Sequence, residues 1–258
     1  QVAGKQGPEA LAGPVSVAIS SKNATVNLAG EIKGGRIAFD ATKDQITFNA
    51  TPALVAELKR GGTLKLPDEM KDLAITAPIP VALDVTQLDL PLDGKQLKTA
   101  KVGFVLKTGA INPIGDARLA GVSIPTLTAT LTDTTLSEGV KLVIDTDVKK
   151  DATTGTIHAD AKLTKLFSAE DKIDPVNLPM DVKLTVTNLP TPLADAFIKK
   201  GQLGSVALGP TINATVAATL NRTPGKEAAE AFTGPVSVTL DSANTKIALE
   251  GAMAGGRL

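Results

Sequence analysis

The chain of 258 residues contains no cysteine, no tryptophan and no tyrosine, and it has a single histidine. Without cysteine there is no disulfide framework, no thiolate metal site and no cysteine nucleophile. An extracytoplasmic chain of this kind must be held together by strand pairing and core packing alone. The aromatics are six Phe, so Val, Leu, Ile and Ala do nearly all the packing. That suits a shallow or elongated sheet better than a thick globular core, whose centre is usually filled by rings. Net charge is zero, from 27 basic and 27 acidic residues. A nucleic-acid partner normally demands a basic excess and rings for base stacking, and both are missing. No apolar run approaches the roughly 20 residues of a spanning helix. Nor is there a signal peptide.

What is present is an internal repeat. Glu9-Ala10-Leu11-Ala12-Gly13-Pro14-Val15-Ser16-Val17 returns as Glu230-Ala231-Phe232-Thr233-Gly234-Pro235-Val236-Ser237-Val238, an offset of 221 residues. The match runs without a gap, and over residues 9–36 it keeps 14 of 28 positions identical. The expected organisation is one full period over residues 1–221, with residues 222–258 opening the next in the pattern of residues 1–37. The chain thus reads as part of a longer, repetitive protein. A weaker echo links Thr51-Pro52 through Gly61 with Thr191-Pro192 through Gly201. Both read as short helices, with Thr as N-cap, Pro in the first turn, basic residues in the last turn and Gly closing. Short helices are expected near 51–60, 166–172 and 191–200.

Between them the pattern has period two, which marks half-buried strands. Ile79, Val81, Leu83 and Val85 alternate with Pro80, Ala82 and Asp84. Val102, Phe104 and Leu106 alternate with Lys101, Gly103 and Val105. Val140, Leu142 and Ile144 face away from Lys141, Val143 and Asp145. Ile157, Ala159, Ala161 and Leu163 are followed by Met180, Val182, Leu184 and Val186, and then by Ile212, Ala214, Val216 and Leu220. The intervening positions are rich in Thr, Lys and Asp. Asp93-Gly94, residues 137–139 and residues 151–155 read as turns. The expected fold is all-β with a few short helices, an elongated, curved antiparallel sheet with one apolar and one wet face.

Candidates for chemistry are few. His158 falls on the polar side of a strand and reads as solvated. Asp145, Asp147 and Asp151 surround a turn without the spacing of a complete calcium loop, and Asp40 and Asp44 flank another. Gly34-Gly35 and Gly255-Gly256 read as bends rather than phosphate cradles. No nucleotide, hydrolase or zinc motif occurs, so no catalytic residue, metal ligand or cofactor is expected.

The stretch Leu189-Pro190-Thr191-Pro192-Leu193-Ala194-Asp195-Ala196-Phe197 is followed by Leu208-Gly209-Pro210-Thr211-Ile212-Asn213-Ala214-Thr215-Val216 and then Gly234-Pro235-Val236-Ser237-Val238. Together with the amphipathic strands, these segments resemble the AsmA-like repeats of bacterial envelope proteins, a family that includes TamB-type bridge-like lipid transfer proteins. The resemblance covers most of the last 70 residues and recurs over residues 9–37. It implies a β-groove whose apolar floor carries lipid acyl chains across the periplasm. The lining would be Val81, Leu83, Val85, Val102, Phe104, Leu106, Val140, Leu142, Ile144, Ile157, Val182, Leu184, Val186, Ile212 and Val216, gathered into a concavity. The implied partners are phospholipid or other acyl chains, neighbouring repeats of the same chain, and a membrane reached through regions outside this segment. The same facts also suit a structural or adhesive repeat of a surface fibre or stalk, in which a second sheet or the helices would close the apolar face.

Overall fold

The computed structural model describes residues 4, 6–39, 44–62, 72–115, 119–133, 135–168, 172–174, 178–195, 203–222, 231–255 and 257. Its order is β1 (Gly13–Ser20), β2 (Ala24–Lys33), β3 (Arg36–Phe39), β4 (Gln45–Ala50), α1 (Pro52–Arg60), β5 (Ala74–Ile75), β6 (Ile79–Pro91), β7 (Lys101–Thr108), β8 (Pro113–Ile114) and β9 (Val122–Ser123). Then come β10 (Leu127–Thr132), β11 (Val140–Lys150), β12 (Thr153–Leu163), β13 (Met180–Pro190), α2 (Thr191–Asp195), α3 (Leu203–Leu208), β14 (Thr211–Arg222), β15 (Phe232–Ser242) and β16 (Lys246–Met253). The fold is all-β with short helices, and one antiparallel sheet takes 14 of the strands. The sheet runs β1-β2-β3-β6-β7-β10-β11-β12-β13-β14-β15-β16, with β4 beside β3 between β2 and β6, and β9 on β11. β5 and β8 form a separate small ribbon.

Neighbouring strands are joined mainly by hairpins, because alternating apolar residues are interrupted by turn formers. Gly34 and Gly35 connect β2 to β3 with φ of 58° and 75°, the two positive values that a type I′ turn requires. β11 and β12 turn through Asp151 and Ala152, with Asp151 at φ 53°. This turn is tighter than the sequence suggested. Residues Thr153 to Gly155 belong to β12, where Gly155 faces an irregularity of β13. A side chain on Gly155 would come within 2.7 Å of Asn188 O, so only glycine fits there.

The helices sit at one end of the sheet. α1 follows β4, while α2 and α3 link the end of β13 to the start of β14. Thr51 caps α1, accepting the Leu54 N–H at 3.2 Å, and Pro52 opens it. The parallel expectation for Thr191 does not hold. Thr191 is itself the first helical residue, fully buried, and its hydroxyl has no partner. Its backbone N–H instead donates to Pro210 O at 3.0 Å, which ties α2 to the loop ahead of β14. Residues 196–200 lie outside the described residues. The helix expected near 166–172 is corrected. Leu166 to Ser168 is not helical, and Phe167 bridges Ile173. Ser168 N–H donates to Lys172 O at 2.8 Å and Asp174 N–H to Leu166 O at 2.8 Å. Two apolar arms around a polar tip satisfy their backbone as a small hairpin; residues 169–171 lie outside the described residues.

A buried cluster lies where this end meets the apolar face. Leu119, Val122 and Val148 are buried together, with Leu73, Ile124, Ile157, Leu189 and Leu193 against them. Away from this cluster Val85 is also fully buried on that face. Among the described residues, the helices touch strand ends and adjoining segments and do not lie across the strand centres.

Asp44 repairs the place where β2 and β6 both change partner between β4 and β3. β2 pairs with β4 over residues 24–27 and with β3 over residues 30–33. At the switch, Asp44 is buried and its Oδ1 accepts the Ala29 N–H at 2.6 Å, while its own carbonyl accepts the Val85 N–H at 3.0 Å. Replacing Asp44 with Ala leaves the Ala29 N–H without its acceptor. The expected loss of stability is about 1–3 kcal/mol, measured by denaturant melting with an unchanged m-value.

Candidate functional site: the apolar face of the sheet

The pairing registers carry apolar residues across the whole sheet. Ile19 lies opposite Val26, Val26 opposite Ile46, Ile46 opposite Leu83, and Leu83 opposite Leu106. The row continues through Ala129, Ile144, Ala159, Leu184, Val216 and Val238 to Leu249. It crosses twelve strands without a polar residue. At about 4.8 Å per strand it extends roughly 50 Å. A second row runs Val85, Phe104, Leu131, Leu142, Ala161, Val182, Ala218 and Val236.

All fifteen residues named from the sequence fall on this face, since strand parity and register link each to one of the rows. Val81, Val85, Val186 and Ile212 are buried. The other eleven are half-buried, and of these Ile157 packs against the Leu119–Val122–Val148 cluster. The sequence reading missed Ile46, Leu88, Leu90 and Leu131, which extend the face. Leu88 and Leu90 were hidden by a bulge in β6. Val85 pairs with Phe104 and Gln87 with Gly103, so Thr86 is an extra residue that resets the parity. A strict period-two count stops at Val85 for that reason.

The opposite face is polar, and next to the first row it reads Ser20, Thr25, Thr47, Ala82, Lys107, Thr128, Asp145, His158, Thr185, Thr215 and Thr239. His158 is exposed there, its Nδ1 2.6 Å from Asp145 Oδ1. Lys141 pairs with Asp160 at 2.7 Å. Such solvated cross-strand pairs contribute little to stability, of order 0–1 kcal/mol. Asp147 is exposed on the same strand, and Asp151 sits in the following turn. Among the described residues, no three His, Asp or Glu side chains are placed to hold a metal ion. Asp40 lies outside the described residues.

One depression, of about 630 Å³, lies on the polar face, where Asp160, Asp181, Lys183 and Glu250 meet Ala217 and Pro235. Asp181 accepts the Thr219 hydroxyl there at 2.8 Å.

One acidic group is perturbed. Asp133, just past β10, accepts the Val102 N–H at 2.7 Å through Oδ1, while Oδ2 is buried without a partner. Desolvation raises its pKa above 3.8, against the lowering effects of that hydrogen bond and of Lys101. The folded state therefore holds this proton more tightly than the unfolded chain. Asp133 costs stability at neutral pH, and the cost disappears as pH falls through the raised pKa toward and below 3.8. Asp133→Asn keeps an oxygen for Val102. It should raise the melting temperature at pH 7, with the advantage shrinking on acidification. A pH-independent difference in thermal melts would contradict this assignment.

Among the described residues, no helix is long and apolar enough to cross a membrane. Comparison with protein-family models, with curated proteins and with solved structures finds no match to this chain.

Proposed function

We propose that this chain is a non-enzymatic, AsmA-like segment of a lipid-carrying β-groove, and that its apolar face holds acyl chains. The reading rests on one observation, the apolar row that crosses twelve strands from Ile19 to Leu249 on one face of a single sheet. A face about 50 Å long and several residues wide exceeds the few hundred Å² that a monomer ordinarily leaves open. It needs an occupant. Small aliphatic side chains offer contact to an acyl chain at any point along the row and no polar anchor to trap it, as movement along a conduit requires. A fibre or stalk would close the same face with a second sheet, and the described residues bring none over it. In this reading the protein works in the bacterial cell envelope, with neighbouring repeats extending the sheet and the membrane reached through other regions.

Lipid extraction and native mass spectrometry of the purified chain should find co-purified acyl lipid. Leu184→Asp and Leu142→Asp put a charge in the centre of each row and should deplete that lipid while lowering the melting temperature only modestly, because an open face lets the carboxylate hydrate. Val148→Asp, in the buried cluster at the helix-bearing end, should instead cost several kcal/mol. If the parent carries no lipid and Leu184→Asp destabilises it as much as Val148→Asp does, the face is closed and the proposal fails.

A further inference from the structure

The repeated hairpin appears twice in the sheet, in two different surroundings. β1 and β2 pair Gly13 with Ile32, Val17 with Leu28 and Ile19 with Val26. Displaced by 221 residues, β15 and β16 pair Gly234 with Met253, Val238 with Leu249 and Leu240 with Ile247. The connecting turns also agree. Ala24 N–H donates to Ser21 Oγ at 3.0 Å, and Thr245 N–H to Ser242 Oγ at 3.1 Å. Gly34 and Gly255 have φ of 58° and 56°. These are one structural unit in two copies.

The copies differ in what stands beside them. β15 is flanked by β14, whereas β1 is a sheet edge. The cost falls on equivalent residues. Val17 is 40% exposed and Ile19 54% exposed, while their counterparts Val238 and Leu240 are half-buried under the pairing with Val216 and Ala214. Leu11 is likewise exposed, and its counterpart Phe232 is half-buried opposite Arg222.

Gly13 adds an independent observation. Gly13 and Gly234 share an unusual backbone, φ 141° and 147°. At Gly234 the glycine has a reason, because an added Cβ would lie 2.0 Å from Thr219 O of β14. At Gly13 the same Cβ would meet nothing within 4 Å. The first copy keeps the glycine and the backbone that admit a neighbouring strand, and among the described residues no strand lies there.

We infer that the free edge of β1 is a binding site for a β14-type strand, paired antiparallel in the register β14 takes with β15. In that register a strand of the sequence Thr211–Arg222 sets Ala214 opposite Ile19, Val216 opposite Val17 and Ala218 opposite Val15. The occupant is the β14 strand of a preceding period, and the main-chain ladder together with the two small-residue faces recognises it. This is a protein–protein site, distinct from the proposed lipid face and independent of it.

The test uses the whole chain and a synthetic peptide of residues 211–222. Titration should saturate, and hydrogen exchange of the β1 amides from Val15 to Ile19 should slow by about tenfold or more, with β16 unchanged. A scrambled peptide, and one carrying Thr215→Pro, should do neither. Gly13→Ala should weaken binding at least about tenfold while the contact of Val17 with Leu28 shows that the hairpin is intact. Absence of β1 protection, equal protection by the scrambled peptide, or unaltered binding by Gly13→Ala would overturn the inference.

Discussion

Everything in this structure depends on cross-strand register. In a sheet of amphipathic strands, a slip of one residue moves a whole strand's apolar set to the wet face. Among the described residues, the second sheet is no more than the two-stranded β5–β8 ribbon. The register must be held by turns and by local exceptions to the ladder, and these are where the special residues lie. Gly34 and Gly35 set the β2–β3 pairing. The extra residue Thr86 keeps both halves of β6 facing the same way. Asp44 supplies a side-chain oxygen where β2 changes partner, and Gly155 yields space to the irregularity in β13. Each is a local cost accepted so that an apolar row can cross the sheet unbroken.

The composition is consistent with that architecture. Rings fill thick cores, and among the described residues the buried cluster is small, where α2 and the β8–β9 region pack against Val148 and Ile157. Along most of the sheet, valine, leucine and alanine face their neighbours in the same row, as they would in the floor of a groove. The polar face, with threonine opposite threonine at Thr185, Thr215 and Thr239, is built from residues that favour strands and tolerate water. Its exposed ion pairs keep the surface hydrated and contribute little else.

Much of this was legible in the sequence, because period-two alternation survives in strands wet on one side. The fifteen aliphatic and aromatic positions chosen by alternation share one face. The gap-free repeat announced a hairpin that is formed twice with one register. The failures have particular causes. Leu88 and Leu90 were invisible behind a bulge, since parity counting assumes a regular ladder. Leu166 and Phe167 were read as helical because a short apolar run carries no period of its own; only pairing with Ile173 decides it. Thr191-Pro192 resembles the capped start of α1, but the neighbouring loop takes the Thr191 backbone N–H, and the hydroxyl is left buried inside the helix.

The central claim is that acyl chains lie along the apolar rows. It is tested most directly by methyl NMR of the chain with a fatty acid bearing a nitroxide on its tail. The account predicts strong paramagnetic broadening of the Ile144, Leu184, Val216 and Val238 methyls, while those of Thr128, Thr185 and Thr215 on the other face stay sharp. Broadening centred on the threonine face, or none above that of a free nitroxide control, would contradict it.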